Sequence, residues 1–229
     1  MHGSGDSRAA GGLFAGNAVT LAAIVLWVSS FLVTDRLLQS WNPVWLTVGR
    51  ILGAGLLLLA FCALTGRLGT LRPKSWPRLT GASVLGFGMA GLCIVVGQKF
   101  ADPVTTAIIV TTGPLISALL GILEGSERPS AHLWAGILMA MAGGVLASLA
   151  PGSWVPAPRG GELLVLLSQV LWIWYSRISA HGLGELDAIA KSTLGLTIGG
   201  LFLLAVAAIG TASGLVPFEI GRASCRERV

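Results

Sequence analysis

Charge is what this chain has least of. Asp, Glu, Lys and Arg make up 11% of its 229 residues, against about 25% in an ordinary soluble domain. Hydrophobic residues make up 54%. A soluble chain this apolar could not cover its own surface, so soluble classes are excluded and a polytopic membrane protein is expected. Cysteine is scarce too. Cys62 and Cys93 fall inside apolar runs, where a thiol acts as a small hydrophobe, and Cys225 lies near the end. No CxxC or metal spacing occurs, and no disulfide framework can be read. The histidines, His2, His132 and His181, lie far apart. Neither a metal site nor a cofactor is expected. No Asp, Glu or His lies near the centre of an apolar run. An intramembrane enzyme, which needs a converging nucleophile and base, a carboxylate pair or a metal set, is therefore not expected either. The net charge of +5 is scattered between apolar runs without a basic stripe, so nucleic acid is not an expected partner. The expected partners are a lipid bilayer and a small-molecule substrate.

What is present is a series of long apolar stretches. About 20 apolar residues cross a bilayer as a helix. The spacing predicts seven, at about 16–35, 43–64, 79–98, 103–123, 131–150, 161–178 and 188–210. Breakers such as "SWNP", "ADP" and "PGSWVPAPRGG" separate them. The first is not a cleaved signal peptide, because it lacks a small-x-small cleavage site and further spans follow. Lys and Arg in the connections set orientation. With the N-terminus inside, Arg8, Arg67, Arg72, Lys74, Arg78, Arg128 and Arg177 are inside, and Arg36, Lys99 and Arg159 are outside. The expected location is the cell (plasma) membrane, multi-pass, with residues 1–15 as a cytoplasmic N-terminus.

Val-Leu-Trp occurs twice, at 25–27 and 170–172. Sliding 16–60 along the chain by 145, without a gap, matches eleven of 45 positions, among them Gly16/Gly161, Trp27/Trp172 and Gly55/Gly200. The first two spans therefore recur as the sixth and seventh. Five spans separate the copies, so the second enters the membrane from the opposite side. Such inverted repeats are common in secondary transporters, where two similar halves exchange roles around a midplane site.

The repeat brings equivalent faces into view. Residues i, i+4 and i+7 share a helix face. That face is Ala23, Trp27 and Ser30 in one copy and Ser168, Trp172 and Tyr175 in the other. Each offers an amphipathic aromatic with a hydroxyl beside it, groups that prefer a wet cavity or a polar partner to lipid. Interfacial anchoring is the alternative, but both Trp residues sit near mid-span. Arg50, two turns into the second span, costs about 2.5–3.5 kcal/mol on insertion scales. It reads either as a substrate or gating contact or as a snorkelled packing residue. Pro114 in "VTTGPLISALLG" is expected to bend its helix beside protein or water, with Thr111 and Thr112 close enough to help. Trp27, Ser30, Arg50, Pro114, Trp172 and Tyr175 are the substrate-cavity candidates; no catalytic residue is expected. Gly49-xxx-Gly53 and Gly195-xxx-Gly199 are spacings that let helices pack closely.

"LWVSSFLV" followed by "LTVGRILGAGLLLLAF" resembles the first two helices of an EamA-type transporter of the drug/metabolite transporter superfamily. The likeness continues through "GQKFADPVTTAIIVTTGPLISALLGILEGSERPSAHLWAGILMAMAGGVLAS", with Pro114, Glu127, Arg128, Trp134 and Gly136 on the family's pattern. "GELLVLLSQVLWIWYSRIS" looks like the start of a second unit. The resemblance covers about residues 16–210. Pro129 departs from it, where the family often has an aliphatic residue. It implies a ten-helix, all-α fold of two inverted five-helix units, of which spans eight to ten are absent here. On that reading 16–150 is a first EamA-like unit, 151–160 a linker and 161–218 two helices of a second. It implies a secondary transporter, an exporter or exchanger of small metabolites or drug-like compounds working by alternating access without ATP hydrolysis. The alternatives are a membrane scaffold or accessory subunit, or a non-functional fragment. "EIGRASCRERV", 219–229, breaks every preceding trend. A sequencing-library adapter read in frame would encode it, so these residues are expected to be an artefact and are set aside from fold reasoning.

Overall fold

The computed structural model describes residues 4–101, 103–125, 130–148 and 160–218. The resemblance motif at Glu127, Arg128 and Pro129, most of the expected linker and the 219–229 tail lie outside them. Among the described residues every regular element is helical: α1 (Ser4–Leu38), α2 (Pro43–Leu64), α3 (Trp76–Ser83), α4 (Ala90–Phe100), α5 (Pro103–Thr111), α6 (Gly113–Leu123), α7 (Ala131–Ser148), α8 (Glu162–Gly182) and α9 (Ala188–Ala212). A π-helical turn, Val84–Met89, joins α3 to α4 in one rod.

Among the described residues six helices are long and apolar enough to cross a membrane: Gly16–Leu38, Pro43–Leu64, Trp76–Phe100, Thr105–Leu123, Glu162–Gly182 and Ala188–Ala212. The protein is a polytopic all-α membrane protein. Seven spans were expected; the remaining stretch, 131–150, forms α7 through Ser148, and its last two residues fall outside the described ones. The fourth expected span does not merely bend. It breaks at Thr112 into α5 and α6. Pro114 stands in the first turn of α6, where its absent N–H is not needed. The hydroxyls of Thr111 and Thr112 donate to the carbonyls of Ile108 and Ile109, at 2.7 and 2.6 Å.

The centre of the bundle is the crossing of α2 and α9. Val48, Leu203 and Ala207 are buried there, against Trp45, Ile51, Leu52, Leu92 and Phe202. Glycines permit the close approach. A Cβ on Gly55 would lie 2.7 Å from the backbone nitrogen of Thr197, and one on Gly200 would lie 2.6 Å from Cα of Leu52. The two helices run antiparallel. Trp45 Nε1 donates to Thr211 Oγ1 at one end (3.3 Å) and Cys62 Sγ meets Thr193 Oγ1 at the other (3.7 Å).

These contacts are reciprocal under the 145-residue offset. Gly55 and Gly200 are equivalent positions, and so are Leu52 and Thr197. The caps obey it as well. Asn42 caps α2 by accepting from the Val44 N–H (2.9 Å), and Asp187 caps α9 by accepting from the Ala190 N–H (2.7 Å).

The remaining helices are placed by short connections and small residues. α4 runs antiparallel to α8: Gly97 meets Val165 and Gly161, and Gly86 in the π turn meets Tyr175. Alongside, α6 runs parallel to α8, since Gly113 lies by Gln169 while Ser117 and Glu124 both lie by Arg177. Arg67, Arg72, Lys74, Arg78 and Arg177 consequently share one end of the bundle with Glu124, Glu185 and Asp187. At that basic end Arg67 pairs with Asp187, and Arg177 pairs with Glu124, both at 2.8 Å. The carboxyl of Glu185 is held below the usual range, chiefly by its own backbone N–H, with help from the Lys74 N–H and the charges of Lys74 and Lys191.

Candidate functional site

Two clusters are built from the predicted residues. The first joins α1 to α2. The short connection after Leu38 lays the end of α1 back along the start of α2, so Arg50, two turns in, reaches α1. Its Nη1 donates to Thr34 Oγ1 at 2.7 Å and its Nη2 to Ser30 Oγ at 3.5 Å. Among the described residues Arg50 has no carboxylate partner. The hydroxyls are themselves anchored: Thr34 donates to the Ser30 carbonyl and Ser30 to the Trp27 carbonyl. Trp27 packs edge-on to Phe31, with ring centroids 5.2 Å apart. Gln98 of α4 closes the group, its Nε2 donating to the Phe31 carbonyl at 3.3 Å.

The second cluster lies between the π turn, α8 and α9. Phe87 meets Tyr175 and Trp172 edge to face, at 4.9 and 5.4 Å, and those two are 5.4 Å from one another. Gly195 and Gly199 make room, since a Cβ on either would run into Phe87. A π turn holds one extra residue and is frequent at functional sites. Here it carries Phe87 between two glycines, Gly86 and Gly88, that themselves touch Tyr175 and Phe202.

The six candidates are therefore only partly brought together. Trp27, Ser30 and Arg50 are neighbours, and Trp172 and Tyr175 are neighbours. Tyr175 is buried, while Trp27 and Trp172 remain 47% and 42% exposed. Pro114 is exposed and touches neither cluster in any hydrogen bond or ring contact among the described residues. Further polar residues are buried nearby; Ser168 belongs to the face read from the repeat, and Gln98, which closes the third apolar stretch and reads from sequence as a solvated end, is buried instead. Thr34, Gln98, Thr106, Ser168 and Gln169 are all buried, on α1, α4, α5 and α8. Gln98 Oε1 and Thr106 Oγ1 are buried with no hydrogen-bond partner. Buried polar atoms in lipid-embedded helices are costly unless satisfied. For Thr34, Thr106 and Gln169, only their being polar letters in apolar runs could have flagged them.

The arrangement offers hydroxyls, amides, one guanidinium and aromatic edges. It suits binding and passage. Among the described residues no group of three His, Cys, Asp or Glu could hold a metal ion.

Comparison with known proteins agrees with this chemistry. The profile of the EamA-like transporter family matches residues 14–149. An inner membrane transporter of Escherichia coli K12, YedA, itself uncharacterised, is 30% identical over 156 residues, which are 68% of this chain and 50% of that protein. The uncharacterised transporter YdfC of Bacillus subtilis is 30% identical over 146 residues, 63% of this chain and 47% of its own. The chain thus spans about half the length of these curated relatives. A solved crystal structure superposes with a TM-score of 0.61 over 81% of this chain and 64% of the other, at 24% identity, a likeness of fold. Both curated relatives are named as transporters. A multi-pass membrane protein with a polar seam and the family's profile over more than half its length, this chain belongs to the EamA-like transporter family.

Proposed function

We propose that the chain is the first unit and the opening two helices of a secondary transporter, in which two inverted units pass a small metabolite or drug-like compound across the plasma membrane by alternating access. The observation that carries this is the reciprocal α2–α9 crossing. Gly55 meets the helix of Thr197 as Gly200 meets Leu52, and the helices are antiparallel, the contact a two-fold axis in the membrane plane would leave. The path runs along the seam of Ser30, Thr34, Gln98, Thr106, Ser168 and Gln169. The cation–hydroxyl cluster stands at one end of it and the aromatic cluster at the other.

Two further observations support the reading. Leu123 and Gly182 end at the same side of the bundle, so the chain between α6 and α8 must return to the far side. α7 is the helix in that stretch, and we take it as the seventh crossing. In addition, the α8 face packed by the third span includes Gly161, Val165 and Ser168, all buried, while the equivalents Gly16, Thr20 and Ala23 on α1 are exposed. A helix of a complete second unit would cover that face. The positive-inside rule puts the basic end, and with it residues 1–15, in the cytoplasm. A membrane scaffold is the second reading, but the buried atoms Gln98 Oε1 and Thr106 Oγ1, which have no hydrogen-bond partner, favour passage.

The test is topological. A reporter fused after Arg72 should read cytoplasmic, and one fused after Ser153 should read outside. The same side for both would overturn the inverted arrangement, and the reverse pattern would overturn the cytoplasmic N-terminus.

A further inference from the structure

At the basic end, α3, α6 and α8 splay around a hollow of about 470 Å³ lined by Arg78, Glu124, Trp174, Arg177 and His181. It lies outside the seam, where the spans meet the aqueous boundary. Glu124 is already committed, since it takes both Nε and Nη2 of Arg177, at 2.9 and 2.8 Å. Arg177 also donates to the Ser117 carbonyl at 3.4 Å. That pair is neutral in sum and fixes the far wall.

Arg78 is different. It is exposed, its stem rests on Gly182, where a Cβ would lie 3.2 Å from Cδ of Arg78, and among the described residues it has neither an ion pair nor a hydrogen bond. His181 stands beside it. Its Nδ1 lies 3.0 Å from the Arg177 carbonyl, so the proton of the neutral ring sits on Nδ1 and Nε2 is left for another partner. Trp174, 39% exposed, supplies an amphipathic wall of the kind that sits at headgroup depth.

We propose that this hollow is a phosphate site that holds the headgroup of an anionic phospholipid, with Arg78 as its bidentate ligand, His181 Nε2 as the acceptor for a headgroup hydroxyl and Trp174 along the glycerol and upper acyl region. Three features of the hollow select this chemistry. The guanidinium fork matches two phosphate oxygens. The hollow's net charge is positive once Arg177 and Glu124 cancel. Its position between helix ends at the cytoplasmic boundary is where anionic headgroups concentrate. A free phosphate group would satisfy Arg78 equally well, but it would make no use of Trp174.

The experiment uses the full chain in nanodiscs of zwitterionic phosphatidylcholine, with phosphatidylglycerol or inorganic phosphate as the added probe. Bound lipid is counted by native mass spectrometry after mild delipidation, and thermal stability is followed in parallel. Phosphatidylglycerol should be retained in preference to phosphatidylcholine. Arg78→Ala should weaken that retention about tenfold, the loss of one charge-assisted contact. Arg72→Ala, which removes an equal charge outside the hollow, should not. Because Arg78 has no structural partner, its variant should melt with the parent in phosphatidylcholine alone, so loss of lipid cannot be mistaken for misfolding. Stabilisation by inorganic phosphate with the same dependence on Arg78, without retained lipid, would keep the phosphate site and assign it to a soluble anion. Equal retention of phosphatidylglycerol by the parent and Arg78→Ala, or equal loss in Arg72→Ala, would overturn the site.

Discussion

Replacing Gly200 by Ala adds one methyl group, and its effect can be worked out from the crossing. The new Cβ would lie 2.6 Å from Cα of Leu52 and 2.8 Å from its nitrogen and Cβ. Ordinary contact begins at 3.4 Å, so the helices would have to part by about 0.8 Å, and because the obstacle is backbone no rotamer change relieves it. Overpacking of this kind costs about 1–3 kcal/mol. Against it, Ala gains about 0.5–1 kcal/mol over Gly in a helix. The net expectation is destabilisation by up to about 2.5 kcal/mol. Gly55→Ala should match it, since its Cβ would lie 2.7 Å from the nitrogen of Thr197. Gly53→Ala is the control: nothing lies within 4 Å of its Cβ, so only the helix gain remains and stability should rise. Thermal unfolding in detergent, followed by loss of monodisperse protein, separates the three. If Gly55→Ala and Gly200→Ala melt with Gly53→Ala, the close crossing is wrong. If only one of the pair is destabilised, the reciprocity fails and the repeat loses its structural support.

The caps should behave as a pair as well. Asn42→Ala and Asp187→Ala should each cost about 1 kcal/mol by the same melt, with little added at Asp187 from its half-exposed partner Arg67. Trp172→Ala and Tyr175→Ala, made in a full-length protein, should lower efflux of whichever compound a substrate screen identifies while membrane levels hold; normal transport by both would reduce them to packing. For Glu185, whose carboxyl is held below its usual range, the folded state is favoured at neutral pH, and that stabilisation is lost as the pH falls through the glutamate range. Glu185→Gln should lower stability slightly in the neutral region and converge with the parent at low pH, which flattens the acid limb of a stability–pH curve measured in detergent.

How much of this was legible in the sequence varied from residue to residue, for physical reasons. Length and apolarity located the helices because a bilayer imposes both. The Val-Leu-Trp repeat located Gly55 and Gly200 because a close crossing tolerates only glycine on each side. Gly49-xxx-Gly53 and Gly195-xxx-Gly199 show where such reading stops. The spacing is the same, yet Gly195 and Gly199 are filled by Phe87 while Gly49 and Gly53 have nothing within 4 Å. What differs is the neighbour, which a π turn in another helix supplies, and no periodicity announces that turn. The break at Thr112 was expected only as a bend, because Pro114 is compatible with either. Thr106 and Gln169 were passed over, and Gln98 reads from sequence as a solvated end, because a lone polar letter in an apolar run takes its meaning from which helix faces it.

On the alternating-access reading the two halves are similar but not interchangeable, and the difference is concentrated at one pair of positions. The offset equates Ser30 with Tyr175, Thr34 with Ser179 and Arg50 with Gly195. In the first copy Arg50 fills the groove between its two helices from within, held by Thr34 and Ser30. In the second, glycine leaves the groove empty and Phe87 fills it from the neighbouring rod, against Tyr175 and Trp172. Arg50 lies two turns from the Asn42 cap and Gly195 two turns from the Asp187 cap, so the two fillings occupy opposite halves of the bundle. Opening at Arg50 breaks charge-assisted hydrogen bonds in a medium with few replacements. Opening at Phe87 slides ring edges past one another, which costs contact area but leaves no group unpaired. A carrier with two equal closures has no preferred resting side. Unequal closures set one, and here the stronger closure is the cationic one, away from the basic end. On that proposed reading these contacts would favour a resting state closed at Arg50, opening first past Phe87, toward the end that carries Arg67, Arg78 and Arg177.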